Sequence, residues 1–170
     1  MRYANSIRVW WQWLVGSNPQ LLLIIGMTAG GGFIAALVWE WLGAVPCAFC
    51  KLERTLLALV ALTVLLGQGG KKYTRDLLAV VGFMWLALCV VFVRHIGIQY
   101  RLFSLPKACL GTLPSHNVLE MERFLSHKPQ ASCDQMDFLF LGLPPTVYLL
   151  ALCVVMVGLC FWGFLRHDKA

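Results

Sequence analysis

At 170 residues, 59% hydrophobic and 13% charged, with a mean hydropathy of +0.73, the chain has the composition of an integral membrane protein and is too apolar for a soluble enzyme. Its length allows one domain with a handful of spans. The formal charge of +6 would suit nucleic acid, but it sits in the short segments that flank apolar runs, so it reads as a topology signal and speaks against a nucleic-acid partner.

The first twenty residues place Arg2 and Arg8 ahead of Trp10, Trp11 and Trp13, a cationic, tryptophan-rich lead suited to the headgroup layer. An interfacial segment is expected here, because the apolar run that follows is too long for a signal-peptide core and lacks a small-x-small cleavage site. Leu21 to Trp39 is uncharged for 19 residues, giving a first span over about 21–42. Gly26, Gly30, Gly31 and Gly32 lie within it, and small residues of this kind let helices approach closely. The second apolar run, Thr55 to Gly70, has only 16 uncharged residues, too few to cross a bilayer alone. The helix must take in the turn Cys50-Lys51-Leu52-Glu53-Arg54, which predicts a span over about 50–70 and sets Arg54 at the membrane boundary. A cation there either snorkels or finds an anionic or polar partner.

Lys71, Lys72 and Arg75 form a basic turn before Leu77 to Val93, which, extended by Arg94 to Gln99, predicts a third span over about 77–97. Arg101 to Asp137 is the one long polar stretch. Within it Asn117-Val118-Leu119-Glu120 reads as a capping box. Val118, Met121 and Leu125, with Phe124 beside them, give a short amphipathic helix expected to lie on the membrane. Phe138 to Leu165 is free of charge, with Pro144-Pro145 suited to the first turn of a fourth span over about 145–165.

The expected fold is thus an all-α membrane protein, a bundle of four transmembrane helices in a single domain, with outer loops over about 43–49 and 98–144. Orientation follows from the basic residues. The termini and the 68–76 turn share one side and carry Arg2, Arg8, Lys71, Lys72, Arg75, Arg166 and Lys169 against Asp76 and Asp168, which predicts a cytoplasmic side. The long loop balances Arg101, Lys107, Arg123 and Lys128 against Glu120, Glu122, Asp134 and Asp137, and is expected to face out.

That topology sorts the seven cysteines. Cys89, Cys153 and Cys160 fall inside spans, where cysteine is a small apolar packing residue. Cys47, Cys50, Cys109 and Cys133 fall on the outer side, where disulfides persist. Four thiols admit three pairings, and sequence alone does not choose among them. A zinc site would more typically show a second close pair, so no metal is expected. In Pro46-Cys47-Ala48-Phe49-Cys50-Lys51-Leu52-Glu53-Arg54, helical spacing puts Cys47, Cys50 and Arg54 on one side over about two turns. Helix N-termini and nearby guanidinium groups favour thiolate, so this pattern points to thiol chemistry.

Four spans, Pro-Cys-x-x-Cys opening the second, arginine four residues later and a further cysteine pair in the second outer loop resemble the DsbB family of bacterial inner-membrane disulfide-forming oxidoreductases. Gly43, the Arg94 to Gln99 spacing, and Cys133 followed by Asp137, Phe140 and Leu141-Gly142-Leu143 extend the similarity over nearly the whole chain. The resemblance implies a multi-pass protein of the bacterial inner membrane with both termini cytoplasmic. It also implies a relay: a DsbA-like periplasmic thioredoxin-fold partner is oxidised at a Cys109–Cys133 disulfide, electrons pass to Cys47–Cys50, and a membrane quinone, ubiquinone or menaquinone, accepts them beside Cys50 and Arg54. Cys47 is expected at the rim, within reach of a loop thiol, and Cys50 deeper. Members often carry histidine after the glutamine that ends the third span, where this chain has Gln99-Tyr100. His95 is then the substitute candidate at the quinone site, against a headgroup-level histidine. Aromatic positions after Cys133 that are often tryptophan are here Phe138 and Tyr148. Alternative readings are a vitamin K epoxide reductase-like protein or another membrane thiol relay, and a non-catalytic scaffold with a structural disulfide. In the vitamin K type the membrane Cys-x-x-Cys follows the loop cysteines, the reverse of the order here.

Overall fold

The computed structural model describes residues 17–67, 73–106, 109, 131–134 and 139–165. The expected interfacial lead and the short amphipathic helix near residues 117–125 lie outside them. The described residues form four helices: α1 (Asn18–Trp41), α2 (Ala48–Gly67), α3 (Thr74–Gln99) and α4 (Pro145–Leu165). Of these, α1, α3 and α4 are long and apolar enough to cross a membrane. Helix α2 carries Lys51, Glu53 and Arg54 in its first two turns, so its apolar length is shorter, as the run from Thr55 already implied.

Each helix packs antiparallel on the next. Gly26 and Gly32 of α1 face Val64 and Leu57 of α2. A Cβ at Gly26 would come within 2.7 Å of Val64, so the glycine is what lets the two helices close. Gly67 meets Leu77 and Thr63 meets Met84 across α2 and α3, while Gly82 meets Cys160 across α3 and α4. Helix α4 returns to α1, where Gly163 faces Leu21. The result is an up-and-down bundle whose inner faces repeat at three- and four-residue steps: Leu57, Val60 and Val64 on α2; Leu78, Val81, Trp85, Leu88 and Phe92 on α3. Apolar side chains also cover the outside, with Met27, Leu65, Phe83, Val90 and Phe161 all exposed, as expected of a surface whose solvent is lipid.

Two turns shape the outer end. Helix α3 stops where Arg101 takes a left-handed conformation (φ 57°), and Leu102 N–H donates to the Gly97 carbonyl at 2.7 Å. The Phe103 ring lies on Gly97, where any Cβ would sit within 2.2 Å of it. The chain therefore doubles back over the helix end, taking Leu105 toward the cysteines of α2. Before α4, Phe140 and Leu143 pair across a tight turn in which Leu141 and Gly142 both have positive φ. Tyr148 Oη donates to the Phe140 carbonyl at 2.8 Å, and Thr146 Oγ1 donates to Gln99 Oε1 at 2.8 Å, joining the start of α4 to the end of α3.

Candidate functional site: two disulfides over a buried glutamate–histidine pair

Pro46 ends the short outer turn and α2 begins at Ala48, which leaves Cys47 at the helix N-terminus. Its carbonyl accepts the first helical hydrogen bond, from Lys51 N–H, and its sulfur accepts the Cys50 N–H at 3.1 Å. An N-terminal turn supplies free backbone donors and the positive end of the helix dipole, both of which favour negative charge on sulfur. Cys47 and Cys50 form one disulfide, with Cα atoms 5.1 Å apart; Cys109 and Cys133 form the other, at 5.2 Å. Of the three pairings that counting allows, this is the one the family resemblance implied.

The two disulfides belong to one buried cluster. Cys47, Cys109, Cys133 and Ile98 form its core, with Ala48, Phe49, Cys50, Leu105 and Ala131 packed against them. Cys133 N–H donates to the Cys109 carbonyl, holding the loop disulfide as a compact unit. Cys47 was expected at the rim, within reach of a loop thiol, with Cys50 deeper. The loop cysteines pack against Cys47, which is 4% exposed, while Cys50 is partly buried.

Beneath the cysteines lies a polar pair in the bundle interior. His95 is 2% exposed, and its Nε2 lies 3.7 Å from Cys47 Sγ. Its Nδ1 is 2.7 Å from Glu53 Oε1, and Glu53 is itself buried. The Phe49 ring stacks on the imidazole at 5.4 Å between centroids. On this turn of α3, Phe92, His95, Gly97 and Ile98 are buried while Val93 and Arg94 are exposed, so the imidazole faces into the bundle. Arg54 leaves α2 on another side and engages the Glu40 carboxylate of α1, both groups being partly exposed. The boundary cation thus has its anionic partner.

Glu53 escaped the reading of the sequence as a site residue. A signal was present: Glu53 continues the inward spacing of Leu57, Val60 and Val64, and His95 continues that of Trp85, Leu88 and Phe92. An ionisable residue in register with a buried apolar stripe is costly in lipid and marks function. Cys47, Cys50 and His95 also bring three metal-type donor atoms within 4.8 Å of one another, but in the disulfide state neither sulfur is a thiolate ligand. Cys89, Cys153 and Cys160 are buried free thiols deeper in the bundle.

No curated protein and no solved structure matches the chain. A family model described as DsbB, disulfide bond formation protein DsbB, matches residues 17–163. That match takes in α1 to α3, all but the last two residues of α4 and both cysteine pairs, and the chain belongs to the DsbB family, helical membrane proteins of disulfide bond formation.

Proposed function

We propose that this protein reoxidises a DsbA-like periplasmic thioredoxin-fold partner and passes the electrons through Cys109–Cys133 and Cys47–Cys50 to a membrane quinone. The observation that carries this reading is the single buried cluster holding Cys47 against Cys109 and Cys133. Disulfides exchange by attack of a thiolate on a sulfur through a mixed disulfide, so the two pairs have to meet, and here they do. A partner thiolate attacks Cys109 and releases Cys133. The Cys133 thiolate attacks Cys47 and releases Cys50. The helix N-terminus then stabilises the Cys50 thiolate.

The exposures favour Cys50 as the sulfur that meets the acceptor. It is partly exposed next to lipid-facing Leu52, and Arg54 lies one turn on. A quinone bound there supplies an acceptor for two electrons and two protons. The chain's contribution is a fixed guanidinium, oriented by Glu40, that stabilises developing negative charge beside Cys50. Ubiquinone and menaquinone both fit this chemistry. The orientation that serves it puts both termini in the cytoplasm and the loop cysteines in the periplasm, consistent with the distribution of basic residues.

Purified protein mixed with a reduced thioredoxin-fold partner and quinone should convert quinone to quinol and partner thiols to disulfide in equal amounts. A scaffold with structural disulfides would leave both unchanged. In intact spheroplasts treated with a reductant, a membrane-impermeant thiol reagent should label Cys109 and Cys133. Labelling only after lysis would invert the orientation and remove the relay with it.

A further inference from the structure

Outside the cysteines themselves, the groups beside the Cys47 sulfur are unusual for the interior of an apolar helix bundle. Among the described residues, His95 is the imidazole that approaches Cys47, and the only anion at hydrogen-bond distance from that imidazole is Glu53. Burying a carboxylate and an imidazole in an apolar bundle is expensive unless the two satisfy each other. Their order is also directional. A carboxylate at Nδ1 fixes the neutral imidazole with its proton on Nδ1, which leaves the Nε2 lone pair facing Cys47. Phe49 stacked on the ring holds the plane in that direction.

We propose that Cys47, His95 and Glu53 form a proton relay, with His95 exchanging a proton with the Cys47 sulfur and Glu53 acting as the positioning residue that sets the tautomer and stabilises the imidazolium. It rests on the relay of disulfides described above and deepens it. In the exchange that returns the loop disulfide, the Cys109 thiolate attacks Cys133 in a Cys133–Cys47 bridge. The Cys109–Cys133 bond forms, the Cys133–Cys47 bond breaks, and the electron pair leaves on Cys47. His95 in its imidazolium form gives its Nε2 proton to that sulfur. The proton that arrives on Cys47 is the one His95 carried, so the imidazole ends the step neutral, and no external oxidant enters it. In the opposite sense, neutral His95 takes the proton from the Cys47 thiol and leaves a thiolate–imidazolium pair held by Glu53.

The electrostatic surroundings of His95 come from all sides of the bundle. Helix α2 presents Glu53 and the Cys47 sulfur. Helix α4 presents the Cys153 thiol, which lies within electrostatic reach of Glu53. On the α1 side, Glu40 is engaged by Arg54, so those two charges offset each other. The carboxylate in direct contact with the imidazole is therefore that of Glu53.

The test needs neither quinone nor partner, so its failure is separable from failure of the relay reading. In fully reduced protein, alkylation of Cys47 by iodoacetamide is followed against pH, with mass spectrometry separating Cys47 from Cys50. In the wild type, Cys47 should react at pH values below those of an ordinary thiol, because the proton rests on His95. Glu53→Gln keeps a hydrogen-bond acceptor at Nδ1 but removes the charge that stabilises the imidazolium. Its profile should move to higher pH, with at least a tenfold loss of Cys47 reactivity near neutrality. Glu53→Asp should recover part of that loss, and His95→Ala should match Glu53→Gln, with the double variant no slower than either. Superimposable wild-type and Glu53→Gln profiles, or additive effects in the double variant, would overturn the relay. Should the variants fail to fold, nitrogen-15 resonances of His95 in the oxidised wild type decide it: a neutral imidazole with its proton on Nδ1 supports the relay, and a neutral imidazole with its proton on Nε2 instead excludes it.

Discussion

The middle of the bundle and its outer end are built from different materials. In the middle, Leu21, Ile25, Val60, Leu78, Trp85 and Phe92 interlock as a continuous apolar core, and the cysteines there, Cys89, Cys153 and Cys160, are free. At the outer end the buried groups are two disulfides, an imidazole and a carboxylate, with Ile98, Leu105 and Ala131 as thin apolar cover. Dispersion and close packing hold the first region, and they do not change when a bond is exchanged. The second is held by the bonds that the proposed relay would exchange. Such a relay can break and remake its disulfides here because stability is kept elsewhere.

The sharpest way to break that contrast is at Cys133. Cys133→Ser should abolish turnover, because Cys109 then has no disulfide for a reduced partner to open; the Cys109 thiolate instead attacks the disulfide of an oxidised partner and holds it as a mixed disulfide that no loop sulfur can displace. Peptide mapping after acid quench should find the partner on Cys109, and a partner found on Cys47 would reverse the direction of flow. Trp85→Ala should do the opposite: a loss of about 3–5 kcal/mol in stability from a core cavity, with turnover per folded molecule retained. Unfolding in detergent followed alongside the assay separates the two. Arg54→Met belongs to the outer end, and should weaken quinone use about tenfold to hundredfold, the equivalent of a charge-assisted hydrogen bond of about 1.5–3 kcal/mol, while both disulfides still form. Unchanged quinone kinetics in the purified variant would make Arg54 simply the ionic partner of Glu40. The smallest effect is expected at Cys160→Ala, where turnover should not change and stability should fall by about 1 kcal/mol, the scale of one buried methylene. A redox defect there would bring the middle of the bundle into the chemistry.

The fold was legible in the sequence because lipid imposes it: apolar runs of the right length, broken by charge, have few other structures open to them. The four outer cysteines and Arg54 were legible because Cys-x-x-Cys next to a cation is a rare arrangement at a membrane edge. What remained hidden was which side of each helix faces in. In a soluble bundle the polar face reveals the buried one, but here Phe83, Leu86 and Val90 face lipid and are as apolar as Trp85 and Leu88, which face the core. With the period masked, Glu53 looked like one of three charges in a helix-opening turn, and its register with Leu57 and Val60 became visible only in three dimensions. The burial of Cys47 has a similar origin, because the loop cysteines that cover it arrive from residues far along the chain.

The loop disulfide joins residues 24 apart in sequence, and each of its halves is carried toward the same helix terminus, by the reversal after Gln99 on one side and by the turn ahead of Pro145 on the other. Opening that disulfide therefore does not set either sulfur free in solution. A thiol tethered this closely faces its target at an effective concentration in the millimolar range or above, far beyond the abundance of any membrane protein. On the proposed relay, exchange between the two pairs is consequently a first-order event within one molecule, indifferent to how many copies the membrane holds, and only the encounter with the proposed thiol donor scales with abundance.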